Sequence, residues 1–298
     1  MHYSIAVVLA ALSAHVSAHG VVTQIQGANG VNMPGLSVID GTPRDCSSPL
    51  CGSEADTSII RDKELGTDKA SALGRTKGNG PVDAASAIAT FMGNGATSNS
   101  TAKAASRRGL LSDLLGGGKD NNNDNKNNND NANTSDGTKT PDGTVETGVR
   151  AAAGTGATSG LPTSSDNGTI SMTYHQVNQD GAGPLTAMID PTSGGTDPNA
   201  FQKATVIQDV PGSGFLGLSG DTKTDFPIQV QMPDGMTCSG SVGGANNVCI
   251  VRVNNDALAG PFGGSAAFTQ SAAAKKRSIE YRMRKRHFAR GILSEGSE

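Results

Sequence analysis

Two histidines in this chain stand where they could share a metal ion. Residues 1–18 read as a secretory signal. The apolar run Ser4-Ile5-Ala6-Val7-Val8-Leu9-Ala10-Ala11-Leu12 leads to the small residues Val16-Ser17-Ala18, which fit a signal-peptidase site. The run carries no Lys or Arg ahead of it. Cleavage after Ala18 would make His19 the first residue of the mature chain; cleavage after Ala14 is the alternative and would leave it internal. An N-terminal histidine offers one ion both its α-amine and its imidazole, a nitrogen chelate suited to Cu(II). His2 and His15 leave with the signal. His175 and His287 are the other imidazoles, and His287 lies in a basic tail. Copper held by His19 and His175 is therefore the expected cofactor chemistry.

The elements that must position these residues are strands. Aromatic content is 3% with no Trp, and 40 glycines accompany few strong helix formers, so the core must come from aliphatic side chains on strands and loops. Val21–Gly27 reads as a strand. In Thr169–Asn178, Ile170, Met172 and Tyr174 alternate on one face, which places His175 on the other. Further strands are expected over Ala204–Val210, Phe226–Met232 and Asn247–Val253, and helices over Asp56–Leu65 and Val82–Met92. The expected fold is mainly β: an antiparallel, immunoglobulin-like β-sandwich with short helices in its loops. One domain is expected, in two parts (19–94 and 166–270) around a low-complexity insert over 95–165. That insert centres on the Asn-rich tract 120–131 and reads as disordered. A basic tail over 271–298 follows, as an extension or a weak helix over 278–290. Lys275-Lys276-Arg277 at its start fits kexin-type processing, and its charge suits an acidic glycan or lipid surface.

Cys46, Cys51, Cys238 and Cys249 are even in number, which in an exported chain favours disulfides. Three connectivities exist; proximity favours Cys46–Cys51 and Cys238–Cys249. Sequons at Asn99, Asn133 and Asn167 suit a secreted glycoprotein. A net charge of −3 gives no reason to expect nucleic-acid binding, and no second apolar stretch approaches a membrane span. A secreted or surface-bound monomer is the resulting expectation. No nucleophile elbow, P-loop or dinucleotide fingerprint is present, so catalytic residues stay unassigned.

Several blocks carry a resemblance: Ala18-His19-Gly20-Val21-Val22, Pro43-Arg44-Asp45-Cys46, Glu54 to Glu64, Tyr174 to Pro184, Asn247 to Val253, and Gly260-Pro261-Phe262-Gly263-Gly264. They are similar to the Egh-type, appressorium-associated virulence-factor family of filamentous fungi. The resemblance implies a secreted or cell-surface protein of infection structures, with a cell-wall glycan or a fungal or host surface as partner. That family's pattern implies cysteines where this chain has Val253 and Ser265, consistent with one missing bridge, and it implies that the Asn-rich insert and basic tail are additions. More distantly, an N-terminal His, a second His on a strand-rich body and a C…NVC hairpin resemble lytic polysaccharide monooxygenases. That likeness implies copper at His19 and His175, an axial aromatic for which Phe262 is the candidate, and oxidation of chitin or another wall glycan. Tyr174, on the opposite strand face, is a poor axial candidate. Gln176, Gln179 and Glu64 are the expected sources of supporting hydrogen bonds.

Overall fold

The alternation in residues 169–178 becomes the central strand of the sheet that carries both histidines. The computed structural model describes residues 19–95, 137–212 and 219–295. In chain order, β1 (Gly20–Gln26) and β2 (Asn32–Pro34) form a hairpin. The short strands β3 (Ser58–Ile59), β4 (Arg75–Thr76) and β5 (Gly80–Pro81) lead to α1 (Ala84–Phe91). Next come β6 (Thr138–Lys139), α2 (Gly148–Ala152) and α3 (Gly156–Ser159). The long strands follow: β7 (Thr169–Gln176), β8 (Thr186–Asp190), β9 (Gln202–Gln208) and β10 (Thr224–Gln231). Finally come β11 (Gly240–Val242), β12 (Ala245–Asn254), β13 (Phe262–Thr269) and α4 (Ala272–Glu295). Neighbouring strands pair antiparallel in the order β2-β1-β7-β10-β9-β8-β12-β13-β3-β4-β5, with β6 added to β10 and β11 to β12. Strand β9 pairs with both β10 and β8, so one sheet curls over and packs upon itself as two layers.

The interior is aliphatic, as the lack of Trp requires. Val22, Tyr174 and Phe226 lie opposite one another across β1, β7 and β10, and Ile25, Met172 and Ile228 form the next row. Helix α1 starts at Asp83, whose carboxylate accepts from Ser86 N at 3.0 Å, and buries Ala84, Ile88 and Phe91 at helical spacing. The Cys46–Cys51 and Cys238–Cys249 disulfides are both formed, the second clipping the β11–β12 hairpin.

Five expectations change. Residues 56–65 are not a helix: Ser58 and Ile59 pair with β13, and Ile60 N donates to Pro261 O at 2.8 Å, because β-branched residues here extend the sheet beyond β13. The low-complexity reading extended too far toward the C-terminus, since residues 137–165 fold. Asp40 accepts from Val149 N and Arg150 N at the start of α2, and Thr138–Lys139 pairs with β10, so hydrogen bonds order a segment poor in apolar residues. The Asn-rich tract, the paired Arg107-Arg108 and the sequons at Asn99 and Asn133 lie outside the described residues, as does the signal segment. Strand β13 (Phe-Gly-Gly-Ser-Ala-Ala-Phe-Thr) carries no β-forming pattern; its small residues answer close approach instead. A Cβ on Gly263 would meet Val253 O at 1.9 Å, and one on Gly264 would meet Val22 N at 2.6 Å. Val253 pairs with Gly264 while Ser265 pairs with Arg252, so Val253 and Ser265 point to opposite faces and do not fit the geometry of one missing bridge. The tail, finally, is helical from Ala272.

Asp190 ends β8 as a buried acceptor. Its carboxylate takes Thr192 N and Ser193 N at 2.8 Å, Gly195 N at 2.7 Å and Ser193 Oγ at 2.5 Å. Burial alone would push its pKa up; the bonds from Ser193, Thr192 and Gly195 outweigh it and hold the carboxyl below its ordinary value. A depressed folded-state pKa stabilises above the unfolded value of about 4 and is lost as pH falls through the folded value. Asp190→Asn is therefore expected to lose about 2 kcal/mol at pH 7 and to unfold in acid with a shallower dependence below about pH 4. Urea titrations at pH 3 and 7 measure both.

Candidate functional site

His19 enters the fold at the head of β1. Its carbonyl accepts from Val177 N at 2.9 Å and its backbone N donates to Asn178 Oδ1 at 2.7 Å. The loop after β7 closes over it: a Cβ on Gly181 would meet His19 O at 2.1 Å. On the other side Gly20 lies against Tyr174, whose hydroxyl stands 2.1 Å from where a Cβ would be. The sequence His-Gly is thus set by a buried tyrosine beneath and a glycine loop above.

Register brings the two histidines to one face. Val21 lies opposite His175 and Gly20 opposite Gln176, so His19 falls opposite Val177. Opposed residues share a face and alternate ones return to it, which makes His19 and His175 diagonal neighbours on adjacent strands. Such pairs lie within reach of long side chains. Both are buried, His19 at 2% and His175 at 1% exposure with residues 1–18 attached. His175 Nδ1 is 2.7 Å from Asp225 Oδ1, on the residue directly opposite in β10. A carboxylate there favours the Nδ1–H tautomer and turns Nε2 into a lone-pair donor. That Nε2 is buried and has no hydrogen-bond partner among the described residues.

The surroundings are acidic. His19 Nδ1 is 3.2 Å from Glu54 Oε1. Glu54 is itself buried, bonded to Asn178 Nδ2 at 3.4 Å and ion-paired with Lys77 at 2.8 Å. Burial, with the Glu54 charge adding to it, pushes the Asp180 carboxyl above its ordinary value. Phe262 stacks on the His19 ring, centroids 4.2 Å apart and tilted by 33°, and so walls the imidazole. Tyr174 faces the core, where burial and then the Asp209 charge push its phenol pKa up. The expected supporting residues are placed elsewhere. Glu64 pairs with Arg75 and Arg61, Gln176 donates to Asn178 O and Asp221 O, and Gln179 gives its carbonyl to Ser219 N. Glu54, Asn178 and Asp225 surround the histidines instead. The period-2 pattern put His175 opposite the core, and Glu54 and Asn178 stand in blocks that carry the family resemblance, but no local signal marked either of them or Asp225 as a neighbour of the histidines.

No group of three or more His, Cys, Asp or Glu side chains arranged to hold a metal ion occurs among the described residues. An ion at His19 and His175 would need the α-amine as its third donor, and the His19 nitrogen already sits against Asn178 Oδ1. An orphaned buried imidazole nitrogen, a carboxylate-set tautomer and acidic surroundings fit a cation.

Residues 17–263, which include every one of these groups, match the Egh16-like virulence factor family model. The chain belongs to the Egh16-like family. Two relatives bear this out. The appressoria-specific virulence factor GAS2 of Pyricularia oryzae is 57% identical over 304 residues, covering 99% of this chain and 98% of the relative. The appressoria-specific virulence factor GAS1 of the same fungus is 42% identical over 109 residues, covering 37% of this chain and 42% of the relative. The family model ends before α4. No solved structure matches the chain.

Proposed function

We propose that this Egh16-like protein is an exported fungal virulence factor of appressoria that binds one copper ion through the His19 amine and imidazole and the His175 imidazole. Likeness to GAS2 over nearly the whole chain supports the biological role. Two disulfides, the signal-like segment 1–18, an exposed Asn167 sequon, and the absence of a membrane-crossing helix among the described residues support export. The observation that carries the copper reading is His175: its Nδ1 is held by Asp225, and its buried Nε2 is without a partner.

Copper bound there supplies one-electron redox chemistry. The chain's own groups do the rest. Asp225 fixes the His175 tautomer, Asn178 orients the His19 nitrogen, Phe262 walls the ring, and Glu54 with Asp180 supplies negative potential for a cation. Oxidation of chitin or another wall glycan is the narrower reading. Burial of both imidazoles, and the lack of an exposed aromatic beside them among the described residues, favour copper binding over attack on a crystalline polymer.

The test begins with the mature N-terminus by mass spectrometry, which should be His19. Cu(II) titration read by electron paramagnetic resonance should give one nitrogen-ligated ion per chain. His175→Ala should abolish that signal, whereas Asp225→Asn should weaken binding by about 10–100-fold. A mature chain starting elsewhere, or unchanged binding by His175→Ala, overturns the proposal.

A further inference from the structure

Helix α4 is the most strongly charged feature of the molecule. Eight Lys and Arg and two Glu over Ala272–Glu295 give it +6, so a chain of net charge −3 carries −9 elsewhere. Yet no α4 cation takes part in an ion pair among the described residues, although acidic groups abound on the body. Arg277 and Arg282 instead donate to neutral oxygens, Asp166 O and Thr237 Oγ1, each at 3.1 Å. Ala274 is buried and Gly235 makes room for Tyr281, so the first half of the helix is docked rather than loose.

Docking leaves a groove of about 290 Å³ between α4 and the turns around Gly168 and Gly235. Arg277, Tyr281 and Arg284 line it at i, i+4 and i+7, one face of the helix. Asp166, Asp234 and Glu280 line it too. Tyr281 is 44% exposed and offers a ring face. We infer that this groove and the cationic helix above it bind a carboxylated polysaccharide. Guanidinium groups pair with uronate carboxylates, the phenol ring stacks on a sugar face, and the groove's own carboxylates accept from sugar hydroxyls. Those three acids call for hydrogen-bond donors, which every sugar of a polyuronate carries and the phosphodiester backbone of DNA does not. An anionic bilayer would need an apolar stripe, and the one face that Ile279 and Met283 share is continued by Lys276 and Arg286. Only the choice of a wall polymer as the natural source rests on the export proposed above; the binding itself does not, and it is independent of copper.

The probe is polygalacturonate, measured with the full chain at about 0.15 M salt. Binding is expected to weaken about tenfold in Arg284→Gln and again in Tyr281→Ala, with thermal unfolding unchanged, and to be lost on methyl-esterified polygalacturonate. Equal binding by the variants or to the ester overturns the inference. So does tighter binding to single-stranded DNA or to phosphatidylserine vesicles, or an α4-dependent dimer in light scattering, which would place the helix on the acidic face of a second copy.

Discussion

Replacing Arg44 by alanine is expected to cost about 3–5 kcal/mol of folding stability, the largest single effect anticipated for this protein. Arg44 is buried and forks onto Asp56, donating from Nη1 to Oδ1 at 3.0 Å and from Nη2 to Oδ2 at 2.6 Å. Its Nε and Nη2 also reach Glu146 Oε2, at 3.0 and 2.8 Å. Burial alone would lower the Arg44 pKa, but the two carboxylates outweigh it and hold the guanidinium charged. Removing the cation strands a fully buried Asp56 carboxylate, whose remaining Oδ2 contact is Ile39 N at 3.2 Å. It also frees Glu146, which caps α2 through Thr147 N and Gly148 N. Chemical denaturation of Arg44→Ala and Arg44→Lys measures the effect. Lysine should recover only part of the loss, because an ammonium cannot fork onto one carboxylate while reaching the other. A loss below about 1 kcal/mol in Arg44→Ala would mean the cluster is relaxed in solution.

Gly181→Ala is expected to combine a stability loss of about 1–3 kcal/mol with loss of the proposed copper site. The added methyl would stand 2.1 Å from His19 O, and backbone cannot rotate away as a side-chain tip can. Relief requires His19 to leave Val177, which breaks the contact that sets the His19–His175 diagonal. Gly30→Ala is the matched control. It lies in a turn where a Cβ meets nothing, so its cost is only that of a positive φ of 78°. If Gly181→Ala binds Cu(II) like the parent while losing the same stability, the His19 backbone position is not what builds the site.

The tail was legible only in part. Good helix formers without Pro or Gly before Gly291 allowed a weak helix over 278–290, while its first turns, from Ala272, are fixed by docking at Asp166 and Gly235. By contrast, the alternation in residues 169–176 specified β7 and the face of His175, because a period of two depends only on the residues of one strand. The close cysteine pairs and the aliphatic core were equally legible.

What lies between strands was not. Glu54 meets His19 across 35 residues and Asn178 meets Glu54 across 124, and no local period encodes such distances. Asp225 faces His175 only because β10 pairs with β7 in one register; a slip by one residue would turn its carboxylate to the other face. Strand β13 was hidden because close packing against β1 and β12 demanded glycine and alanine where propensity would ask for valine. The sequence alone thus determined the mainly β class, the disulfides, the histidine pair and the cationic tail, all properties of short segments. The tertiary structure decided what surrounds each of them. Burial, register and backbone approach belong to segments far apart in the chain, and hydrogen bonds and packing choose among the arrangements that local patterning leaves open.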